Sequence, residues 1–420
     1  MTAPAFRKVD IPYERSSEML EVDGWAFLNT PLKATEEELK GVVPWDRARG
    51  MEVVDPDLGE PGTLAACHSS HPYEMRVPGG GTVKTSGLTW VGVHSAYRRR
   101  GLLTQMIDDH FERALARGEV VSTLYAAETA IYQRFGYGLA CPMYTMTCGR
   151  GPALREVRGS DDLKLTLENA DITKHADVML QVLGRITRPG AHATVGEPLM
   201  RDLFIDPEQW RDRAEQLRFA TVFDSSGPAA FAIFNRKLAW DNGMPNGEFS
   251  MWTWAAATGA AERRLLSVIL DLDLVATVRM RNIAPDSPVV QLMQDVRSAK
   301  FAMRDNLWVR ILDIPGALAA RGYRADADIT IAVTDKQLPA NEGLWRLRIA
   351  GGTAHATKET SPSALADVTI SIQELSAAYL GGVTIRSLAA AGLVTGSADA
   401  VGTLSDAFAG TELPISPLNF

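Results

Sequence analysis

The stretch AYRRRGLLTQMI, Ala96–Ile107, decides how the first third of the chain is read. Before it, KTSGLTWVGV (84–93) has the composition of a buried strand ending near Val93. After it, apolar residues fall at 102, 103, 106, 107, 111, 114 and 115, the spacing of a helix, and Gly118 suits its stop. Between the two, three arginines run into Gly101. The first N–H groups of a helix have no intrahelical acceptor, and the helix dipole adds partial positive charge there. Such an end binds anions. A glycine keeps side-chain atoms away from an approaching phosphate, and arginine supplies forked donors for its oxygens. RRRGLL therefore has the chemistry of a pyrophosphate cradle. A solvated arginine face beside an ordinary turn uses the same residues. No Gly-Lys-Ser/Thr follows, so this is not a P-loop, and it is not the dinucleotide G-x-G-x-x-G.

The neighbouring sequence extends this unit into a mixed α/β core. MEVVDPDLGEPGTLAACH (51–68) predicts strand, acidic turn, strand. VVSTLYAA (120–127) predicts another buried strand, and TAIYQRFGYG (129–138) a short helix. Thr35 and Glu38 have the spacing of a capping box, which predicts a helix opening at Thr35. A polar segment near 150–160 marks a boundary. Beyond it, RFATVFDSSGPAAFAIFNRK (218–237) predicts a hairpin across Ser225–Pro228. WTWAAATGAAERRLLSVI (252–269) then echoes WVGVHSAYRRRGLLTQMI (90–107), but Arg264 runs directly into Leu265 with no glycine between. A third segment opens near Asn306 with a strand and a helix starting at Pro315. DADITIAVTD (326–335) and GLWRLRIAGG (343–352) follow as strands, and ADVTISIQELSAAYLGG (366–382) alternates before turning helical. The ending TELPISPLNF, with Pro414 and Pro417, is expected to fray.

The chain has 420 residues, enough for two or three domains with their own cores. Its formal charge of −8 argues against nucleic acid or an anionic membrane as partner and permits a cationic substrate. Cys67, Cys141 and Cys148 make no disulfide framework, which points to a reducing compartment. The N-terminus lacks an apolar signal core, and no run approaches the length of a membrane span. A cytoplasmic location is expected, with export by an unusual route left open.

RRRGLL resembles motif A of the GNAT acetyltransferases, Arg/Gln-x-x-Gly-x-Gly/Ala, with Arg98 and Gly101 in register. Leu103 departs from it, standing where a small residue is usual. That departure, with IYQRFGYG, RPGAHA (188–193) and the final Phe, is similar to the Eis (enhanced intracellular survival) branch along essentially the whole chain. The resemblance implies a mixed α/β (α+β) chain of three parts. A GNAT domain would span 1–157, a GNAT-like domain lacking the pyrophosphate glycine 158–302, and a sterol-carrier-protein-like domain 303–420. It implies acetyl-CoA as co-substrate and no metal. The backbone of Val91, Gly92 and Val93 would bind the pantetheine arm. Arg99, Arg100, Gly101, Leu102, Leu103 and Thr104 would cradle the pyrophosphate, with Ala127 and Glu128 flanking the cofactor. Tyr132 would be the proton donor to the thiolate; a phenol with a pKa of roughly 10 is protonated at neutral pH. Tyr137 is the runner-up and reads better as core. The proton acceptor would be the terminal carboxylate of Phe420, acting through a water, with the third domain bringing it to the site.

The resemblance also implies an N-acetyltransferase acting on aminoglycoside amines, several per molecule, and a homohexamer. A GNAT acting on protein lysines or polyamines, and a non-enzymatic lipid- or ligand-binding scaffold, are the alternatives. Asp23, Glu52, Asp55, Asp57 and Glu60 make the N-terminal region acid-rich, and Trp25, Phe27, Trp45 and Trp90 are candidate pocket walls. His68 and His71 have a spacing that suggests a metal, but no Cys or carboxylate pattern completes such a site.

Overall fold

The computed structural model describes residues 5–27, 33–361 and 363–420. The first four residues of the N-terminal stretch lie outside them. Strands β1 (Phe6–Asp10), β2 (Arg49–Val53), β3 (Leu64–Arg76) and β4 (Thr82–Val93) form an antiparallel meander. Helices α1 (Ser16–Phe27) and α2 (Lys33–Lys40) fall between β1 and β2. α2 begins at Lys33, so Thr35 lies inside the helix and does not open it.

Near its end β4 bulges. Cys67 faces Gly92 and Ser69 faces Thr89, so His68 opposes two residues, and Trp90 takes φ +54°. A bulge bends its strand and strengthens the twist. Helix α3 (Leu102–Ala116) follows, and β5 (Val121–Leu124) returns parallel to β4. The two strands pair only from Thr85–Gly87 against Val121–Thr123 and then part.

The echo in the sequence is a second copy of this unit. β7 (Lys164–Asn169), α5 (Ile172–Gly184), α6 (Glu197–Phe204), β8 (Arg218–Asp224) and β9 (Gly227–Lys237) precede a short hairpin of β10 (Trp240–Asp241) and β11 (Met244–Pro245). β12 (Gly247–Ala256), α7 (Gly259–Ile269) and β13 (Val275–Ile283) then repeat strand, helix, parallel strand. β12 also bulges, at Trp252. The helix start differs: the Thr258 hydroxyl caps α7 by accepting from the Ala261 N–H. Gly259 follows as the first helical residue, and Arg264 and Leu265, the pair of the echo, lie inside the helix and not at its start.

The copies are stitched into one sheet in the order β1-β2-β3-β4-β5-β14-β6-β13-β12-β9-β8-β7. β6 (Gly138–Gly149) follows β5 in the chain but does not pair with it. The strand at the β5 edge is β14 (Lys300–Ile311), whose Trp308–Ile311 face Leu124–Val121. The boundary expected at 302 therefore falls inside a strand shared with the first repeat.

The remaining residues form the sheet β17-β16-β15-β18-β19, from β15 (Ala327–Thr334), β16 (Gly343–Ala350), β17 (Thr353–Lys358), β18 (Val368–Ser371) and β19 (Val394–Gly396). Its interior holds the fully buried guanidinium of Arg321. That group donates to the carbonyls of Tyr379 and Phe408 at 2.7 and 2.8 Å and lies 4.4 Å from the Phe408 ring. The tail does not fray. Pro414–Leu418 are buried, Ser416 and Leu418 completely.

A fragment ending at residue 302 would leave β5 as an unpaired edge and uncover Val121 and Leu124, which are buried in the whole chain. It is expected to aggregate or to be digested by protease under conditions where the full chain is stable. A soluble, protease-resistant fragment would contradict this topology.

Candidate active site

The gap between β4 and β5 opens into a cavity of about 710 Å³. Strand alternation decides which residues reach it. Val91 and Val93 line it, whereas Gly92 turns toward α1, where an added Cβ would meet Ala26, Cys67 and Val22 at 3.4–3.5 Å. At the far wall stands the turn of the opening motif. Gly101 has φ +77°, and a Cβ there would project into open space. Arg99, at φ +64°, shares this left-handed geometry, which is costly for any residue but glycine. Arg98, Arg99, Leu102, Leu103 and Thr104 line the wall beside it, while Arg100 is exposed and does not. Leu103 bridges the apolar cluster of Ile107, Phe111 and Leu124 and that of Met51, Ala66 and Met106. That packing accounts for a bulky residue at this position. The turn thus combines free N–H ends, arginines and a bare glycine facing a deep cavity, a donor set that fits a pyrophosphate.

Ala127, Glu128 and Tyr132 form the opposite wall with Ile131 and Arg134, two residues the sequence reading did not single out. Tyr132 ends the short helix α4 (Thr129–Tyr132), and Gly136 at φ +84° ends the turn after it. This turn is fastened from behind. Arg310 of β14, fully buried, donates through Nε to the Phe135 carbonyl at 2.7 Å and pairs with Asp335 at 2.7 and 2.8 Å. Burial first, and then the Glu128 carboxylate, push the Tyr132 phenol up to about 12. It keeps its proton where an ordinary tyrosine would begin to ionise. Tyr137 is buried in the core, its hydroxyl 2.7 Å from that of Ser122.

Phe420 enters this region from more than 280 residues away. Its ring sits among Tyr125, His71, Tyr73 and His192, with ring centroids 4.9–6.2 Å apart. It lies over Gly87, the last β4 residue paired with β5; a Cβ there would come within 2.6 Å of the ring. The Tyr125 hydroxyl donates to the Leu418 carbonyl. Burial holds His71 and His192 near 3, so both imidazoles are neutral. His68 makes different contacts, 4.0 Å from Asp109, so the two histidines of the HSSH stretch do not converge. Among the described residues no group of three His, Cys, Asp or Glu could hold a metal.

A second cavity, about 340 Å³, lies beside Phe420 and Asn419 and includes Asp202, Asp206, Trp210 and Trp252. Asp206 is engaged by Arg211 at 3.1 Å and by the Leu217 N–H at 2.8 Å. Asp202 makes no ion pair among the described residues, and burial raises it to about 6. These acids come from the second repeat. Of the acids expected from the sequence, Glu52 is tied to Arg7 and Arg15, Asp55, Asp57 and Glu60 belong to a surface turn between β2 and β3, and Asp23 sits on α1, where burial raises it to about 6. Trp45 donates to the Lys40 carbonyl, and Trp25 leans on His94.

Comparison with known proteins agrees with this geometry. Residues 13–140 and 201–311 match models of acetyltransferase (GNAT) domains, and residues 314–417 match a sterol carrier protein domain. An uncharacterized N-acetyltransferase of Streptomyces coelicolor is 34% identical over 409 residues, spanning 94% of this chain and 96% of that one. The N-acetyltransferase Eis of Mycobacterium tuberculosis is 28% identical over 405 residues, 89% of each chain. The crystal structure of Eis1 from Mycobacterium abscessus superposes with a TM-score of 0.80 at 26% identity, covering 99% of this chain and all of that one.

The chain belongs to the Eis-like N-acetyltransferases. It is therefore an acetyltransferase with two GNAT-type repeats and a C-terminal sterol-carrier-like domain, and the GNAT fold implies acetyl-CoA as donor. The non-enzymatic scaffold reading is set aside. No helix among the described residues is long and apolar enough to cross a membrane.

For this N-acetyltransferase, Gly101→Ala places a side chain in the left-handed region at a cost of about 1–2 kcal/mol and into the open space where a cradle would receive a phosphate. Coenzyme A affinity, read by calorimetry, should fall by about tenfold or more, with a thermal midpoint only a few degrees lower. Unchanged affinity would remove Gly101 from the cradle.

Proposed function

We propose that this N-acetyltransferase transfers acetyl groups from acetyl-CoA to amines of aminoglycoside-type polycations, at more than one amine per molecule. Val91, Gly92 and Val93 hold the pantetheine arm through their backbone. Arg99, Gly101, Leu102, Leu103 and Thr104 hold the pyrophosphate, the exposed Arg100 adds charge outside the wall, and Ala127 and Glu128 flank the donor. Tyr132 gives its proton to the departing thiolate as the amine nitrogen bonds to the acetyl carbon. The carboxylate of Phe420 takes the amine proton through a water. A terminal carboxylate has a pKa of roughly 3.5 and is a weak base. Its contribution is to hold the water and to stabilise the developing ammonium charge.

The observation that carries this reading is the acidic cavity beside the buried tail. Phe420 and Asp202 line one space of about 340 Å³, walled by Trp210 and Trp252. Such a space suits a cation with an apolar ring face. The reading also takes the enzyme as a cytoplasmic homohexamer, which light scattering at assay concentration checks for assembly.

Thiol release from acetyl-CoA, measured across kanamycin-like amines, spermidine and lysine peptides, tests the acceptor class. Aminoglycosides should give the highest kcat/KM; a preference for spermidine or lysine peptides moves the enzyme to the polyamine or protein class. Adding residues after Phe420 should lower kcat by about 10² or more without shifting the thermal midpoint. Full activity in the extended chain removes the terminal carboxylate from the reaction.

Asp202 gives a pH dependence with a definite sign. Above about 6 it is charged and attracts the acceptor cation; as pH falls through that value it protonates and the attraction goes. Acceptor KM should rise on the acid side in the native enzyme. Asp202→Asn should show a KM about tenfold higher at neutral pH and no inflection near 6.

A further inference from the structure

Where β4 and β5 part, the first repeat opens the donor cleft. The second repeat parts at the corresponding place, and there the chain's own tail is found. β12 and β13 pair from Gly247–Met251 against Val275–Met280; beyond that, Asn282 takes the left-handed φ of +56°. Its Nδ2 donates to the Trp252 carbonyl, at the β12 bulge, at 2.6 Å, and to the Pro417 carbonyl at 3.2 Å. Asn306, at a register shift in β14, takes the next tail residue from both sides. Its Oδ1 accepts the Ser416 N–H at 2.8 Å, and its Nδ2 donates to the Ser416 carbonyl at 3.1 Å. The same Nδ2 lies 3.3 Å from Asn282 Oδ1, which links the two amides. Asn282 and Asn306 are 4% and 2% exposed, so solvent does not compete for these bonds.

We infer that the parted strands of the second repeat are a receptor for the C-terminal tail. Asn282 and Asn306 are its clamp, positioning residues that set where Phe420 ends. An amide fits this task because it offers a donor and an acceptor in one plane, the pattern of a β-ladder partner. Asn282 also tolerates the left-handed backbone better than a branched or bulky residue. The bonds fall on main-chain atoms of Ser416 and Pro417, so the clamp reads backbone path and not tail side chains. It acts through Phe420 and touches no reacting atom. Its consequence for turnover rests on the carboxylate role proposed for Phe420; its consequence for tail position does not.

Two readouts on the full chain separate these. The first is the rate at which carboxypeptidase A releases Phe420. The second is kcat beside the KM for acetyl-CoA. Asn306→Ala combined with Asn282→Gly, which keeps the backbone permissible, should speed release by about tenfold or more, since buried partners are left unpaired. The KM for acetyl-CoA should stay within about twofold, because the donor cleft is separate, and kcat should fall by about tenfold. Asn306→Asp keeps the acceptor for the Ser416 N–H and loses the donor, so it should fall between the two and serves if the double variant does not fold. A folded variant that binds coenzyme A and releases Phe420 at the native rate overturns the clamp. Fast release with kcat intact supports the clamp and overturns the terminal carboxylate as proton acceptor.

Discussion

The active cleft depends on one mechanical constraint: β5 cannot follow β4. Its other edge is held by β14 through the four residues Trp308–Ile311, while the bulge at Trp90 bends β4 away. The strands part after Gly87, and everything chemical gathers at that fork. The Arg98–Gly101 turn closes one side. The helix bearing Tyr132 closes the other, pinned by Arg310 of the same β14. Phe420 rests on Gly87 itself, at the point where the strands separate. One strand therefore opens the cleft and fastens the turn that follows Tyr132.

The two repeats show how little has to change for a skeleton to change its use. Both have a bulged strand, a helix and a parallel return strand. In the first, Gly101 leaves the helix N-terminus bare and facing a cavity. In the second, the Thr258 hydroxyl caps the helix internally and takes the Ala261 N–H, one of the donors an anion would use. Past the second pair of strands the tail backbone is held, at Pro417 by Asn282. The difference lies in a few residues at each helix start and strand end.

Much of this was legible in the sequence, and the limits were physical. The strand, turn and helix around Arg98–Gly101 declared themselves through periodicity and glycine placement, and the resemblance supplied the role proposed for Tyr132. The β14 exchange was invisible because local pattern reports that a strand forms, not which edge it joins. Tail burial was missed for a related reason. TELPISPLNF has the composition of a loose end, and only long-range partners, Asn282, Asn306 and Tyr125, order it. Asp202 and Asp206 sit about 100 residues along the chain from the Arg98–Gly101 turn, so no local pattern links them to it. Arg134 lies in the turn after that short helix, where no periodicity marks which residues face the cavity.

The exchanged strand also bears on how the protein is made. β5 is complete once residue 124 has been synthesised, but its partner edge arrives only with residue 311. At roughly 5–20 residues per second, that leaves the strand waiting on the order of ten to forty seconds on the ribosome. During that interval the first repeat carries an open apolar edge, and its own next strand, β6, must be kept from taking the vacant position. The nascent chain thus passes through a long window in which a chaperone has something definite to cover. The cleft takes its shape only when β14 docks, and the tail that ends in Phe420 follows later still.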